Sequence, residues 1–476
     1  MKRYFFSYIL FSIAILSIVT TFYRELSIAL GITILLMLLD KMGKGIVLLE
    51  TIAFFYTFTC LLMPIMGYEY YNFNNPMAKL WLKYMPVREV TYFSFALPAV
   101  SFFCFAILLP FVKKGYDDQG EKINNLIVKV KDILRTRNRP GLVIIGIGVI
   151  VFLILNYLPG ELQFFASLFF FSSFAGLLYV YFSPGFRYKI WILLFFVLFI
   201  LYYAIYAGMF TIVAYMGITI FSFLLIGKKS SLITKILIFL AAAFFLIVLQ
   251  NVKRTYRDKT WHSNYGGNRI MLFTDLFWTN VSKGDALVET DAFFPIYVRT
   301  NQGFNIALVM RRIPTLQQFD NGNRLATVFA SAFVPRILWP DKPEAGGKFN
   351  MKYYAGFNIK NWSTNVGPLG EAYGSFGVTG GIIYMCLLGF FLRWVYLRVI
   401  VLSSGIPLLI CWVPVLFYQL TYSAESDTLQ ILNSVIKSAF FIWLVYKFLP
   451  GWFCKEKKVT KMKHQISIPP HPKTVG

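Results

Sequence analysis

The stretch EVTYFSFALPAVSFFCFAILLPFV, residues 89 to 112, decides the fold, because no charged residue follows Glu89 in it. An apolar run of about 20 residues is long enough for a helix to cross the hydrocarbon core of a bilayer. Similar runs recur along the 476 residues, of which 57% are hydrophobic, 19% aromatic and only 14% charged. In an ordinary soluble protein about a quarter of the residues are charged. The sequence therefore predicts an all-α, polytopic integral membrane protein.

The apolar runs give about twelve candidate transmembrane helices and one long polar interruption. Residues 1–251 hold the first nine spans, and residues 252–373 form one large extracytoplasmic loop. Residues 374–449 hold the last three spans, and residues 450–476 form a basic tail. The predicted spans lie near residues 4–23, 26–39, 45–66, 89–112, 141–158, 162–182, 189–206, 208–227, 232–251, 374–392, 405–422 and 428–449.

The net charge of +24 is arranged along the chain in a way that predicts the topology. Lys and Arg concentrate in alternate loops and in the tail, so the positive-inside rule places both termini in the cytoplasm. The same residues form no basic helix and no aromatic-interleaved RNA motif, which argues against nucleic acid as a partner. His262 is the only histidine in a predicted outside segment, and no cysteine lies in one. We therefore expect neither a disulfide framework nor a His-ligated metal site.

Two further patterns lie in the membrane part of the chain. Residues 113–139 alternate charges with apolar residues at helical spacing, which fits either an amphipathic helix on the inner leaflet or a solvated basic connector. Glu50 and Lys437 are ionisable residues within predicted spans and are candidates for pairing with each other.

The outside loop carries the signal for function, because it is far longer than the connection requires. Between residues 252 and 366 it has fifteen Lys and Arg against eight Asp and Glu, which predicts an anionic substrate at the membrane surface. Within it, the apolar run in LATVFASAFVPRILWP, residues 325 to 340, is too short to span a bilayer and ends at a proline. A re-entrant or interfacial helix fits this pattern.

Two stretches resemble a known family. PRILWPDKP, residues 335 to 343, and GPLGEAYGSFGVTGG, residues 367 to 381, are similar to the Wzy-type oligosaccharide repeat-unit polymerases, the O-antigen polymerases. The resemblance implies a GT-C-like membrane glycosyltransferase in the bacterial inner membrane that uses no metal ion or other cofactor. Such an enzyme transfers a growing glycan from undecaprenyl diphosphate to the next undecaprenyl-diphosphate-linked oligosaccharide. The expected product is O-antigen, capsule or exopolysaccharide, and the expected partners are membrane lipid, a chain-length regulator and a flippase.

Four residues are the main candidates for chemistry. Arg336 is the best candidate ligand of the diphosphate, since its guanidinium fork suits phosphate oxygens; the alternative is a structural arginine that bonds loop carbonyls. Lys342 either adds a second charge or anchors the segment at the interface. Glu371 and Asp341 are the candidate catalytic bases. The alternative is a helix N-terminal carboxylate for Glu371 and a turn or lysine partner for Asp341.

Four more residues complete the predicted binding set. Arg254 and Arg257 follow the ninth span and share one face if the helix continues, although both would also serve as headgroup anchors. Arg299 lies where the resembled polymerases often carry an arginine, and Trp339 is placed to sit at the membrane interface. The rival functions are an O-antigen ligase and a lipid-linked oligosaccharide flippase. A ligase typically relies on an outside histidine, and a flippase needs a charged cavity through its spans.

Overall fold

The computed structural model describes residues 2–110, 121–137, 139–207, 211–228, 230–262, 265–282, 290–334, 338–344, 346–359 and 364–454. These residues are almost entirely helical, and within the described ranges the only β-type pairing is an isolated bridge between Met42 and Gly45. The α-helices are α1 (Lys2–Val19), α2 (Tyr23–Lys41), α3 (Leu48–Thr57), α4 (Met63–Glu69), α5 (Pro76–Leu80), α6 (Glu89–Leu108), α7 (Glu121–Thr136), α8 (Arg139–Ile154), α9 (Gly160–Phe182), α10 (Lys189–Ala207), α11 (Thr211–Leu225), α12 (Leu232–His262), α13 (Arg269–Ser282), α14 (Thr290–Thr300), α15 (Gln302–Arg312), α16 (Asn323–Phe333), α17 (Gly347–Asn350), α18 (Gly367–Ser403), α19 (Val413–Leu416) and α20 (Thr428–Phe448). Short π- and 3₁₀-helical turns, among them Met351–Ala355, Pro407–Trp412 and Leu420–Glu425, connect several of them.

The prediction of a polytopic helical membrane protein is confirmed. Eight helical segments in the described part are long and apolar enough to cross a membrane: Leu48–Glu69, Glu89–Leu108, Leu162–Phe182, Lys189–Tyr206, Leu232–Thr260, Gly367–Ser403, Pro407–Glu425 and Thr428–Phe448. The bent pair Lys122–Thr136 and Arg139–Ile154 makes a ninth if it counts as one span. Helices also lie at the remaining predicted positions, but α1, α2, α8 and α11 are too short or too charged to meet the same test. Twelve spans therefore stay a prediction.

The predicted outside loop is itself largely helical. Helix α12 continues past residue 251 to His262, and α13 to α17 follow it. Helix α18 begins at Gly367, earlier than the predicted span, and is kinked at Gly377, where φ is 67°. This left-handed conformation favours glycine because it has no Cβ. The kink separates a short first segment of α18 from the long apolar segment that follows.

Close packing of α6 against α18 forms the centre of the membrane domain. A Cβ on Gly389 of α18 would lie 2.7 Å from the carbonyl oxygen of Phe103 on α6. Such close approach of backbones through small residues is typical of helix contacts in lipid. The Arg393 side chain on α18 also donates a hydrogen bond to the carbonyl of Ile107, at 3.0 Å, near the end of α6.

The helix ends meet in two groups that agree with the predicted alternation of spans. Arg24 donates to Glu89 at 2.5 Å and to Glu69 at 2.8 Å, which joins three ends predicted to be outside. At the opposite ends, the backbone N–H of Gly227 donates to the Gly43 carbonyl at 2.9 Å. Segments predicted to share one side of the membrane are therefore in contact.

The structure corrects two expectations for the membrane part: the inner-leaflet position of an amphipathic helix, and the pairing of Glu50 with Lys437. Residues 121–136 form the amphipathic helix α7, whose apolar side chains are buried in the protein core: Ile123, Leu126, Ile127, Val130 and Leu134. Its apolar face thus covers the protein rather than the inner leaflet. Glu50 forms a buried ion pair with Lys41 at 3.0 Å, and the Lys437 ammonium lies 4.4 Å from the centre of the Phe164 ring.

We expect Gly389→Val to destabilise the fold, because its side chain would push against the backbone of α6. Overpacking of this kind costs about 1–3 kcal/mol. Gly146 on α8 is a matched control, since a Cβ there meets nothing within 4 Å. Thermal unfolding in detergent, followed by size-exclusion chromatography, should show a lower midpoint for Gly389→Val than for Gly146→Val. Equal midpoints would contradict the close approach of α6 and α18.

We expect cysteine labelling to assign the two faces. Asn74 and Lys228 are exposed and lie at opposite ends of the helices. A membrane-impermeant maleimide added to spheroplasts should label Asn74→Cys, while Lys228→Cys should react only after the cells are opened. The unsubstituted chain, which contains five cysteines, gives the background. The opposite labelling pattern would reverse the predicted orientation.

Candidate functional site

A buried carboxylate joins the N-terminal ends of α18 and α20. Glu371, in the first segment of α18, is only 1% exposed. One of its oxygens accepts a hydrogen bond from the Asn350 amide at 2.8 Å. The other accepts from the backbone N–H of Thr428 at 2.9 Å and from the hydroxyl of the same residue. Tyr384 shares the Thr428 hydroxyl, with 2.7 Å between the two oxygens.

A second carboxylate lies beside it. Asp427 is fully buried and caps α20, where it accepts from the backbone N–H of Gln430 at 2.6 Å. Its other oxygen accepts from the Gly346 backbone N–H at 2.7 Å and from the Asn365 amide at 3.0 Å. Burial raises the pKa of the Asp427 carboxyl, while these hydrogen bonds act in the opposite direction by stabilising its charged form.

Side-chain amides extend the network to α15. The Gln302 amide donates to the Asn365 carbonyl at 2.8 Å, and the Asn305 amide donates to Gln302 at 3.0 Å and to the Thr364 hydroxyl at 2.9 Å. These residues are buried or nearly so. The polar groups of α15 are therefore connected to both carboxylates through residues 364 and 365.

Helix α16 contributes the basic residue of this network, Arg324. Its guanidinium lies 3.8 Å from the centre of the Phe349 ring. Its charge acts on the carboxylates of Asp320, Glu371 and Asp427. Burial lowers the pKa of Arg324, and the charges of Glu371 and Asp320 partly offset this effect. The guanidinium remains charged, because an arginine pKa lies far above neutral pH.

A separate basic cluster, which consists of Lys253, Arg257 and Arg299, lies around Glu425. Arg299, in the last turn of α14, forms an ion pair with Glu425 at 2.6 Å. Lys253 and Arg257 on α12 lie close enough for their charges to interact with that of Arg299. Three basic side chains are thereby gathered near Glu425. Basic groups at a partly buried site favour an anionic ligand.

The basic cluster and the carboxylate network meet in one short segment, residues 425–428. Glu425 pairs with Arg299, Asp427 caps α20, and Thr428 donates to Glu371. Groups for holding an anion and groups for holding a hydroxyl are thereby brought to the same end of the helices. We take this region as the candidate functional site.

The structure brings together some of the predicted site residues. Arg257 and Arg299 both belong to the basic cluster, and Glu371 lies in the carboxylate network. Arg254 is on α12, as expected if that helix continues, but its side chain lies outside the described part of the chain. Arg336 also lies outside the described residues.

Three predicted site residues, Trp339, Asp341 and Lys342, lie in the segment after α16 and have different surroundings. Lys342 donates to the carbonyls of Ser331 at 3.0 Å and Val334 at 2.7 Å, so it satisfies the C-terminal end of α16. This geometry favours a structural role for Lys342. Asp341 is exposed and Trp339 is half-buried in the same segment. Phe333, the last residue of α16, is 69% exposed, as expected for an interfacial helix.

Sequence reasoning missed several residues of the site. One signal was available for Asp427, because Asp427 followed by Gln430 fits the capping box that marks a helix start. No comparable local signal marks Arg324, Asn350 or Asn365. Their roles follow from contacts between segments far apart in the chain.

Comparison with known proteins finds no matching family model, no matching curated protein and no matching solved structure. Among the residues that the structure describes, no group of three or more His, Cys, Asp and Glu side chains is arranged to hold a metal ion.

We expect Glu371→Ala to destabilise the protein and Glu371→Gln to do so much less. Alanine leaves the Asn350 amide and both donors of Thr428 without their acceptor, and each buried unpaired group costs about 1–3 kcal/mol. Glutamine keeps an oxygen for the N–H of Thr428. The midpoint of thermal unfolding in detergent measures the difference. If the alanine variant is as stable as the wild type, Glu371 does not hold α18 to α20.

Proposed function

We propose that this protein is a membrane glycosyltransferase that polymerises undecaprenyl-diphosphate-linked oligosaccharide repeat units into surface polysaccharide. The proposed location is the outer face of the bacterial inner membrane, with both termini in the cytoplasm. The observation that carries the proposal is the basic cluster of Lys253, Arg257 and Arg299 beside a buried network of carboxylates and amides. It adds to the resemblance of residues 335–343 and 367–381 to the O-antigen polymerases.

The chemistry requires positive charge at the leaving group. The bond between the anomeric carbon of the growing glycan and a diphosphate oxygen breaks, and the electron pair stays on the diphosphate. Arginine and lysine side chains in a partly buried site stabilise that developing charge without a metal ion or other cofactor. Arg257 and Arg299 are the described residues for this role, and Arg336 and Arg254 belong to the same proposed set.

The acceptor requires a base. A hydroxyl oxygen of the incoming lipid-linked unit bonds to the anomeric carbon, and its proton goes to a carboxylate. Glu371 serves this role if an acceptor hydroxyl replaces Asn350 as the partner of its Oε1. Asp341 is the second candidate, since it is exposed and lies two residues after Trp339 in the segment that follows α16.

The proposal implies several partners. Membrane lipid surrounds the spans, a flippase supplies the lipid-linked unit, and a chain-length regulator sets how many units are added. The product is O-antigen, capsule or exopolysaccharide. An O-antigen ligase uses the same type of donor, and a lipid-linked oligosaccharide flippase moves the same lipid, so both are rival functions that the experiment must separate.

We expect Arg299→Ala to abolish polymerisation in a strain that lacks the chromosomal copy of this gene. The physical reason is the loss of a cation that binds the diphosphate as it leaves. Surface glycan is separated on a gel and its ladder of chain lengths is compared with that of the wild type. Arg299→Lys is tested beside it, because it keeps a partner for Glu425 but loses the fork that matches phosphate. Both variants should leave single repeat units in place of the ladder.

Arg311→Ala is the matched control, because Arg311 is an exposed arginine at the end of α15. It should give a normal ladder, and immunoblots of membranes should show equal amounts of every variant. A normal ladder from both Arg299 variants would contradict the proposed role. Full-length glycan retained on the carrier lipid in the deletion strain would indicate a ligase, and units retained on the inner leaflet would indicate a flippase.

A further inference from the structure

Stacking on aromatic rings holds the Arg324 side chain in place. Its guanidinium carbon lies 3.8 Å from the centre of the Phe349 ring and 5.8 Å from that of Tyr353. The two rings are nearly parallel, with 17° between their planes and 6.0 Å between their centres. A guanidinium that lies over a ring keeps the N–H groups at its edge available for hydrogen bonds.

Two residues that act on Asp427, Arg324 and Asn365, each contain a buried polar atom without a partner among the described residues. Within the described residues, Nε of Arg324 has no hydrogen-bond acceptor, and Oδ1 of Asn365 has no donor. Both residues act on the same carboxylate, because the Asn365 amide donates to Asp427 and the charge of Arg324 stabilises it. Buried polar atoms without partners are costly, so a native structure normally supplies a partner for each.

The electrostatics of this region differ from those of the basic cluster. Among the described residues, the charge of Arg324 interacts with three acidic side chains, those of Asp320, Glu371 and Asp427. Most of their oxygens are already bonded, for example to the Gly322 and Gly346 backbone N–H groups. A second anion brought next to Arg324 would be repelled by these charges. A hydroxyl group has no charge, and it both donates and accepts hydrogen bonds.

We propose that Arg324 is a substrate-contacting residue that binds the hydroxyl groups of an uncharged sugar, the terminal sugar of the acceptor. This inference rests on the proposed polymerase function and names the chemical class of its acceptor. Arg324 donates to one hydroxyl oxygen while Asn365 accepts from a hydroxyl. Phe349 and Tyr353 keep the guanidinium in position, and the carboxylates exclude acidic sugars.

Arginine modification by phenylglyoxal tests the contact on the full chain in detergent, and mass spectrometry of peptides gives the rate at each arginine. The probe is the lipid-linked saccharide extracted from the strain that lacks this protein. It is used intact and also after mild acid has released the saccharide from its diphosphate. Inorganic diphosphate is the third probe. Arg269 is the internal control, because it also stacks on a ring, that of Tyr206 at 4.7 Å, and donates to the Tyr206 carbonyl at 3.1 Å.

We expect the released saccharide to slow the modification of Arg324 and to leave that of Arg269 unchanged. Inorganic diphosphate should slow the modification of Arg257 and Arg299 and should not protect Arg324. Arg324→Lys should lower the affinity for the released saccharide at least about tenfold, which is the loss expected for one hydrogen bond to a charged group. Arg269→Lys should keep the wild-type affinity. Thermal unfolding shows whether each variant is folded.

The outcomes separate the two proposals. Protection of Arg324 by diphosphate and not by saccharide would overturn the inference, and so would a uronic or sialic acid at the acceptor end of the extracted unit. Absence of protection by every probe would make Arg324 a structural residue. If the deletion strain accumulates no lipid-linked unit, the proposed polymerase function fails, and this inference fails with it.

Discussion

The hydrogen bonds between Glu371 and Thr428 are the interaction on which the site depends. A helix N-terminus leaves backbone N–H groups without intrahelical partners, and in a membrane domain water is not available to satisfy them. Glu371 on α18 accepts the N–H and the hydroxyl of Thr428, at the first residue of α20. One carboxylate thus joins the N-terminal ends of two membrane helices. This contact determines where the segment between α14 and α18 packs.

The position of residues 425–428 follows from this contact. Asp427 caps α20 and holds Gly346 and Asn365, so the segments on both sides of α17 are tied to the same helix end. Glu425 then faces α14, where it pairs with Arg299. A basic cluster in the loop and a carboxylate network on the membrane helices are placed side by side because a single short segment contacts both. The hydrogen bonds that cap the helix ends therefore position the site. Backbone N–H groups, as well as charged partners, hold its ionisable side chains.

The sequence predicts the membrane helices well because their signal is local. The apolar run in α6 and the amphipathic spacing of α7 each lie within one segment, and the structure contains a helix at both. The predicted end of α12 and the predicted start of α18 are less accurate. Helix α12 continues through charged residues beyond its apolar run, and α18 starts among glycines. The role of Lys342 is also set by tertiary contacts, because the carbonyls that it caps belong to α16. Arg324 carries no local motif, and only the folded chain places it against Phe349 and the carboxylates.

The separation of basic and acidic groups within the site indicates where each substrate of the proposed reaction binds. The basic cluster gathers three basic side chains and suits the group that gains negative charge, the diphosphate that leaves the donor. The network of acidic side chains suits the group that loses a proton, the acceptor hydroxyl. Exchange of the two substrates would place the diphosphate against the acidic side chains of the network, which carries an electrostatic cost in a site of low dielectric. Under the proposed function, the growing glycan therefore binds with its diphosphate at Arg257 and Arg299, and the single repeat unit presents its uncharged terminal sugar to Arg324.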